Sequence, residues 1–160
     1  MKDPTPFPTH TESVAGRILA LDLGEKRIGV AVSDETRTIA RSIGVLKRQS
    51  RLADFERIYQ LVEEHAVSLL IVGLPLLASG KESEKAAWVR DYARDLQRNL
   101  GLALRFWDES YTTVEAEASL RERGIRGRRS RQRVDAVAAA FILQSYLDAL
   151  REAGRGNVSE

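Results

Sequence analysis

Only four residues, Leu23-Gly24-Glu25-Lys26, separate the apolar run Arg17 to Asp22 from the run Arg27 to Ser33. A link that short makes two strands lie side by side and antiparallel. Both runs are rich in β-branched and small apolar residues, as buried strands need. Ala40 to Lys47 supplies a third strand. Beyond it the pattern changes to alternating helix and strand. Ser50 is placed to cap a helix whose apolar positions Leu52, Phe55, Ile58, Leu61 and Val62 recur at helical spacing. Ser68 to Leu74 is an apolar run suited to a central parallel strand. Glu84 to Asn99 reads as a helix with Ala87, Trp88, Tyr92 and Leu96 toward the core, stopped by Gly101. Leu102 to Trp107 is another buried strand. Thr112 and Thr113 sit where an N-cap is wanted for a helix from Val114 to Arg123, ended by Gly124. Ile125 to Arg133 is a basic loop, and Val134 to Ala153 is the strongest helix, with Val137, Ala138, Phe141, Ile142, Ser145 and Leu150 on its buried side.

Two hairpin-linked connections followed by right-handed crossovers define an α/β fold: a mixed five-stranded sheet, antiparallel over its first three strands and parallel after them, with helices on both faces. The 160 residues fit one such domain, expected over residues 17–153. Residues 1–16, with prolines at 4, 6 and 8 and no apolar core, read as a disordered extension and not as a signal peptide or anchor; 154–160 read as a flexible tail. The chain has no cysteine and only two histidines, His10 and His65. Disulfides, thiolate metal sites and cysteine nucleophiles are therefore excluded, and a multi-histidine metal site is not expected. No apolar run approaches the roughly 20 residues that span a bilayer, so no membrane partner is expected.

In a sheet of this kind ligands gather beyond the carboxyl ends of the parallel strands. Asp22 closes the first strand, Glu109 follows the fifth, and Asp135 opens the long helix. Carboxylates from separate elements, gathered at one end, are what Mg²⁺ or Mn²⁺ seeks, and they repel one another without a cation. Each acid also has an ordinary reading: a turn residue, a polar strand exit, a helix N-terminal acid. Asp22 fits its ordinary reading poorly, because it lies between Leu21 and Leu23, where an unpaired charge is costly. From Arg121 to Arg133 there are seven arginines and one acid, Glu122. A run of that kind is either a solvated loop or a bed for a phosphate backbone. Lys26, Arg27 and Lys81 are further candidates to meet phosphates. The loop from Gly73 to Gly80 is either a phosphate cradle or a rigid turn, and Trp88 and Trp107 read as core. An aspartate before a glycine hairpin also occurs in kinases and ATPases of the actin and sugar-kinase type. Those proteins carry two copies of the fold, and neither GxGxxG nor a P-loop is present here.

Four segments together carry a resemblance. Leu21-Asp22-Leu23-Gly24 with Arg27-Ile28-Gly29-Val30-Ala31-Val32-Ser33-Asp34, then Ile71-Val72-Gly73-Leu74-Pro75, then Asp108-Glu109-Ser110-Tyr111-Thr112-Thr113-Val114-Glu115-Ala116, then Val134-Asp135-Ala136-Val137-Ala138-Ala139 with Ile142-Leu143-Gln144-Ser145-Tyr146-Leu147 resemble, in order and spacing, the motifs of the YqgF (RuvX) family. The match runs from about Arg17 to Leu150. The resemblance implies a ribonuclease H-like fold and a cytoplasmic nuclease, described either in 5′-end processing of pre-16S ribosomal RNA or as a Holliday-junction resolvase. By motif position it makes Asp22, Glu109 and Asp135 the metal-binding carboxylates. The chain departs from the pattern at Leu76-Leu77-Ala78-Ser79, where a polar stretch is usual, and at Ser110, where arginine is common.

The expectation is a metal-dependent phosphodiesterase of the two-metal-ion type, with Asp22 bridging the ions and Glu109 and Asp135 completing their shells. Lys26, Arg126, Arg128, Arg129, Arg131 and Arg133 would hold the nucleic acid, whether structured RNA, a ribosomal precursor particle or branched DNA. The rival expectations are a non-catalytic RNA- or ribosome-binding module and a single-lobed nucleotide-binding protein. A junction resolvase would need paired sites on a two-fold dimer, and no dimer stripe is legible.

Overall fold

The hairpin that the Gly24 link requires is the frame of the molecule. In the computed structural model, which describes residues 16–76, 79, 81–109 and 131–158, β1 (Arg17–Leu23) pairs antiparallel with β2 (Arg27–Ser33), Leu21 opposite Val30. The turn closes by a hydrogen bond of 2.9 Å from the Gly24 amide to the Arg27 carbonyl. β3 (Ala40–Lys47) pairs antiparallel with β2. β4 (Val67–Leu74) then joins β1 in parallel, and β5 (Ala103–Asp108) joins β4 in parallel. The sheet order is β3-β2-β1-β4-β5, which places β1 at the centre. This is the expected mixed sheet.

Helix α1 (Arg51–Glu64) starts at Ser50, whose hydroxyl accepts the Ala53 amide at 3.2 Å, as a capping serine should. Helix α2 (Glu84–Leu100) is capped in the same way by Ser83 and ends at Gly101, whose left-handed backbone (φ 65°) suits glycine. Both helices cover one face of the sheet, where Leu19, Leu21, Leu70 and Val72 pack against Ile58 and Leu96. Helix α3 (Arg131–Val158) covers the other face, where Ile18, Ala20 and Ile71 meet Ala139, Ile142 and Leu143. Burial of each such Leu or Ile contributes about 1.5–3 kcal/mol, and β1 is enclosed on both sides. That enclosure fixes its register, and with it the position of every residue at its carboxyl end.

Some sequence expectations shift in detail. Residues 131–133, expected in the basic loop, belong to α3; no Gly or Pro separates them from Val134, and Arg and Gln extend a helix readily. The helix also runs beyond Ala153 to Val158. Its buried side is set by Ala136, Ala139, Ile142, Leu143 and Tyr146, whereas Val137, Ala138 and Phe141 are half-buried and Leu150 is exposed. On α2 the core contacts are Ala86, Val89, Tyr92, Ala93 and Leu96; Ala87 is exposed. The expected helix from Val114 to Arg123 lies outside the described residues. Both tryptophans are structural. The Trp107 indole donates to Ser145 Oγ at 3.1 Å and meets Tyr146 edge-on, and Trp88 lies under the Arg48 guanidinium, 4.7 Å away. No helix among the described residues is long and apolar enough to cross a membrane.

One buried charge ties the carboxyl end of the sheet together. Asp54, in the first turn of α1, is wholly buried. Its Oδ1 accepts the Gln49 amide at 2.9 Å and the Arg57 guanidinium at 2.8 Å, and Oδ2 accepts the Tyr92 hydroxyl at 3.1 Å. Arg48 Nε stands 3.6 Å from Oδ2, and the same guanidinium donates to the Glu25 carbonyl of the β1–β2 turn at 3.0 Å. Asp54 thus links α1, α2 and the hairpin. Asp54→Ala should lower the unfolding free energy by about 3 kcal/mol in urea denaturation, the low end for breaking a buried ion pair because Arg57 keeps some access to water. An unchanged midpoint would contradict this role.

Candidate active site

Strand alternation decides which side chains meet at the carboxyl end. On β1, Leu19, Leu21 and Leu23 face α1 and α2, while Ile18 and Ala20 face α3. Asp22, two residues after Ala20, therefore falls on the α3 face, at the last turn of the strand before the hairpin. On β4 the same face carries Leu69 and Ile71, then Gly73. On β5 it carries Ala103 and Trp107, after which the chain reaches Glu109. Leu21 pairs with Val72, and Gly73 pairs with Trp107. Asp22, Gly73 and Trp107 are therefore level across three adjacent strands, with the glycine in the middle, and Glu109 lies two residues beyond that level.

The two acids meet over that glycine. Glu109 leans back across β4, so that a Cβ placed on Gly73 would stand 2.8 Å from its Oε1 and 3.0 Å from its Cγ. Its carboxyl shares a hydrogen bond with Asp22. Burial pushes Glu109 up to about 7 from an ordinary 4.5, and the nearby charge of Asp22 adds to the shift. The ammonium of Lys85 opposes both, while the hydrogen bond to Asp22 and the charge of Asp108 push it further up. Asp22 and Glu109 are each half-buried, so the pair stands at the floor of an end that solvent reaches.

The structure brings Asp22 and Glu109 together. Asp135 lies in the first turns of α3, and its side chain is outside the described residues. So are Arg126, Arg128 and Arg129 altogether and the side chains of Arg131 and Arg133. Among the described residues no group of three or more His, Cys, Asp or Glu is placed to hold a metal ion, and the two acids form a pair. Lys26 is exposed in the hairpin turn just past Asp22, and Lys81 is exposed in the loop before α2. That loop is pinned where it can be followed. Leu76 bridges Glu82, and the Ser83 hydroxyl donates to the Pro75 carbonyl at 3.1 Å. The pin brings the first turn of α2, with exposed Lys85, to the end where β4 stops.

Two contributors escaped the sequence reading. Gly73 stands in the sequence at a strand end, in a loop and in one of the four motifs, and its place between the acids depends on strand order. Lys85 belongs to no motif in the sequence, and its field at Glu109 arises from how α2 packs.

The chemistry of the pair fits a hard divalent cation: oxygen donors only, two like charges in contact, and a floor with no side chain. Without a cation the pair carries a cost that depends on pH. Between 4.5 and about 7 the folded chain keeps on Glu109 a proton that the unfolded chain has released. Stability must then fall as pH rises through that window, and it is fully retained below it. Thermal unfolding in chelator from about pH 5 to about pH 8 should show wild type losing ground to Glu109→Gln. Parallel curves would contradict the shift.

A family model described as RuvX, Holliday junction resolvase, matches residues 16–149. A protein of Anaeromyxobacter sp. (strain Fw109-5) named "Putative pre-16S rRNA nuclease" is 43% identical over 132 residues, 82% of this chain and 96% of that protein. One of the same name from Moorella thermoacetica is 43% identical over 138 residues, 86% of this chain and 99% of that protein. Among solved structures, T. thermophilus RuvC in complex with Holliday junction substrate aligns with a TM-score of 0.56 at 16% identity, over 84% of this chain and 96% of that one. The yeast mitochondrial Holliday junction resolvase Ydc2 aligns with a TM-score of 0.54 at 12% identity, over 90% of this chain and 85% of that one. At such identities the structural likeness speaks for the fold, which is that of the RuvC-type, ribonuclease H-like resolvases. The family match spans nearly the whole described sheet and its helices, and relatives above 40% identity cover most of their own length: the chain belongs to the RuvX family.

Proposed function

We propose that this protein is a divalent-metal-dependent nuclease that hydrolyses phosphodiester bonds in the 5′ leader of precursor 16S ribosomal RNA. The observation that carries the reading is the contact between Asp22 and Glu109 at the carboxyl ends of β1 and β5, in a chain whose relatives bear that nuclease name. Asp22 and Glu109 would hold the cation, with Asp135 contributed by α3. Bound at such carboxylates, Mg²⁺ or Mn²⁺, singly or as a pair, supplies Lewis acidity to an attacking water and to the leaving oxygen of an in-line displacement.

The protein's own residues do the rest. The ends of β1 and β5 fix the backbone from which the two carboxylates project, so the site is assembled before substrate arrives. Lys85, whose charge already reaches Glu109, stands where a phosphate oxygen beside the acids would need a cationic partner. Lys26 is exposed on the hairpin turn that follows Asp22. The arginines of 126–133 would carry the backbone further along. Cleavage would leave a 5′-phosphate and a 3′-hydroxyl.

The likeness in fold to a RuvC that is bound to a Holliday junction favours one second reading, a resolvase acting on branched DNA. The two readings separate in one assay. With Mg²⁺ or Mn²⁺, the wild type should cut a pre-16S leader and leave a four-way junction intact, and Asp22→Asn, still folded, should cut at least about a hundredfold more slowly. Cutting of the junction alone would transfer the assignment to the resolvase. Equal activity in Asp22→Asn would sink the proposed site, and chelator-insensitive binding with no cleavage of either substrate would point to a binding module.

The place of Lys85 has its own test. Lys85→Ala should weaken RNA binding and make the slope of log K against log salt shallower by about 0.7–0.9, one phosphate contact's worth of counterion release. A slope identical to wild type would remove Lys85 from the interface.

A further inference from the structure

Two acids on strands that are not neighbours can touch only if the strand between them gives way. β4 lies between β1 and β5, and adjacent strands are about 4.8 Å apart, so Asp22 and Glu109 begin nearly two strand spacings from one another. Any side chain on the α3 face of β4 at that level would fill the gap. The residue there is Gly73. It does not owe its identity to a left-handed backbone, since its φ is not among the positive ones. Nor does it make a turn, since it lies inside β4, which runs on to Leu74. What the position excludes is volume: an added Cβ would meet Ile142 Cδ1 at 2.6 Å and Glu109 Oε1 at 2.8 Å.

We propose that Gly73 is a positioning residue of this site: by carrying no side chain between Asp22 and Glu109, it provides the floor on which the two carboxylates converge. The inference rests on the reading of those acids as the metal-holding pair. The two neighbours of the missing Cβ differ in how they yield. Ile142 is 2% exposed and wedged in the α3 core, so it resists. Glu109 is the outer end of a flexible side chain at the rim, so it moves. A methyl group at 73 therefore displaces the acid before it disturbs the fold, once Ile142 is relieved.

That difference makes the test separable. Gly73→Ala alone carries both clashes and is expected to lose some stability. In the double variant Gly73→Ala/Ile142→Val the Cδ1 atom is gone, and the remaining contact is with Glu109. Manganese is titrated calorimetrically into the full-length wild type, Asp22→Asn, Ile142→Val and the double variant, with thermal unfolding and cleavage kinetics on the same samples. The expected result is Mn²⁺ binding by wild type and Ile142→Val, none by Asp22→Asn, and affinity weakened about 10- to 100-fold in the double variant while it remains folded. Its kcat should fall with KM for the nucleic acid unchanged, because the acid is displaced and the substrate bed is not. Wild-type affinity and kcat in the folded double variant would overturn the role of Gly73 while leaving the acid pair in place. Equal Mn²⁺ binding by wild type and Asp22→Asn would overturn the reading of the pair, and the role of Gly73 with it.

Discussion

Two acids held in contact at one end of a sheet cost free energy that a fold must be rigid enough to sustain. Asp22 and Glu109 share a hydrogen bond at the carboxyl ends of β1 and β5, and burial and mutual repulsion hold Glu109 near neutrality. A loosely built end would let the two swing apart into water. Here β1 is closed in by both layers of helices, β4 runs alongside it in register, and α3 presses Ile142 against the level of Gly73. The hairpin that follows Asp22 is held from behind through Arg48 and the buried Asp54. The constraint on the acids and the packing of the sheet are thus one arrangement.

Three carboxylates in this chain show how surroundings separate structural from chemical roles. Asp34, in the turn after β2, is held down to about 2 by the Thr36 hydroxyl and by the Ile39 and Thr38 amides. All its partners favour the charged form, and it does nothing but shape a turn. Asp54 is more deeply buried than either acid of the site, yet it is answered by two guanidiniums and a phenol. Glu109 alone has an acid as its hydrogen-bond partner and is pushed toward the neutral form. An acid whose surroundings are arranged against its charge, at an end that solvent reaches, marks a candidate functional site.

Much of this was legible in the chain. The hairpin, the strand boundaries and the serine caps follow from local rules, and Asp22 and Glu109 stood out because each ends a strand of the same sense. What stayed hidden depends on packing. Gly73 matters through an approach from β5, a strand some thirty residues later, and Lys85 through the seating of α2. Asp54 carries no signal of its own in the sequence: Arg57 shares its helix, but Arg48 and Tyr92 reach it only through packing. The buried side of α3 was misphased for a plainer reason: Val134 to Ala140 is almost uniformly apolar, so periodicity there carries little signal about which side faces the sheet. Asp135 and the arginine-rich segment lie where the structure describes no side chains, and they enter the account on sequence alone.

The most direct measurement is the anomalous scattering of Mn²⁺ in crystals of the wild-type protein. The account predicts a peak above Gly73, within coordinating distance of both Asp22 and Glu109, that is absent from crystals of Asp22→Asn. A well-ordered carboxylate pair with no peak at saturating Mn²⁺, in a preparation that cleaves RNA, would contradict it.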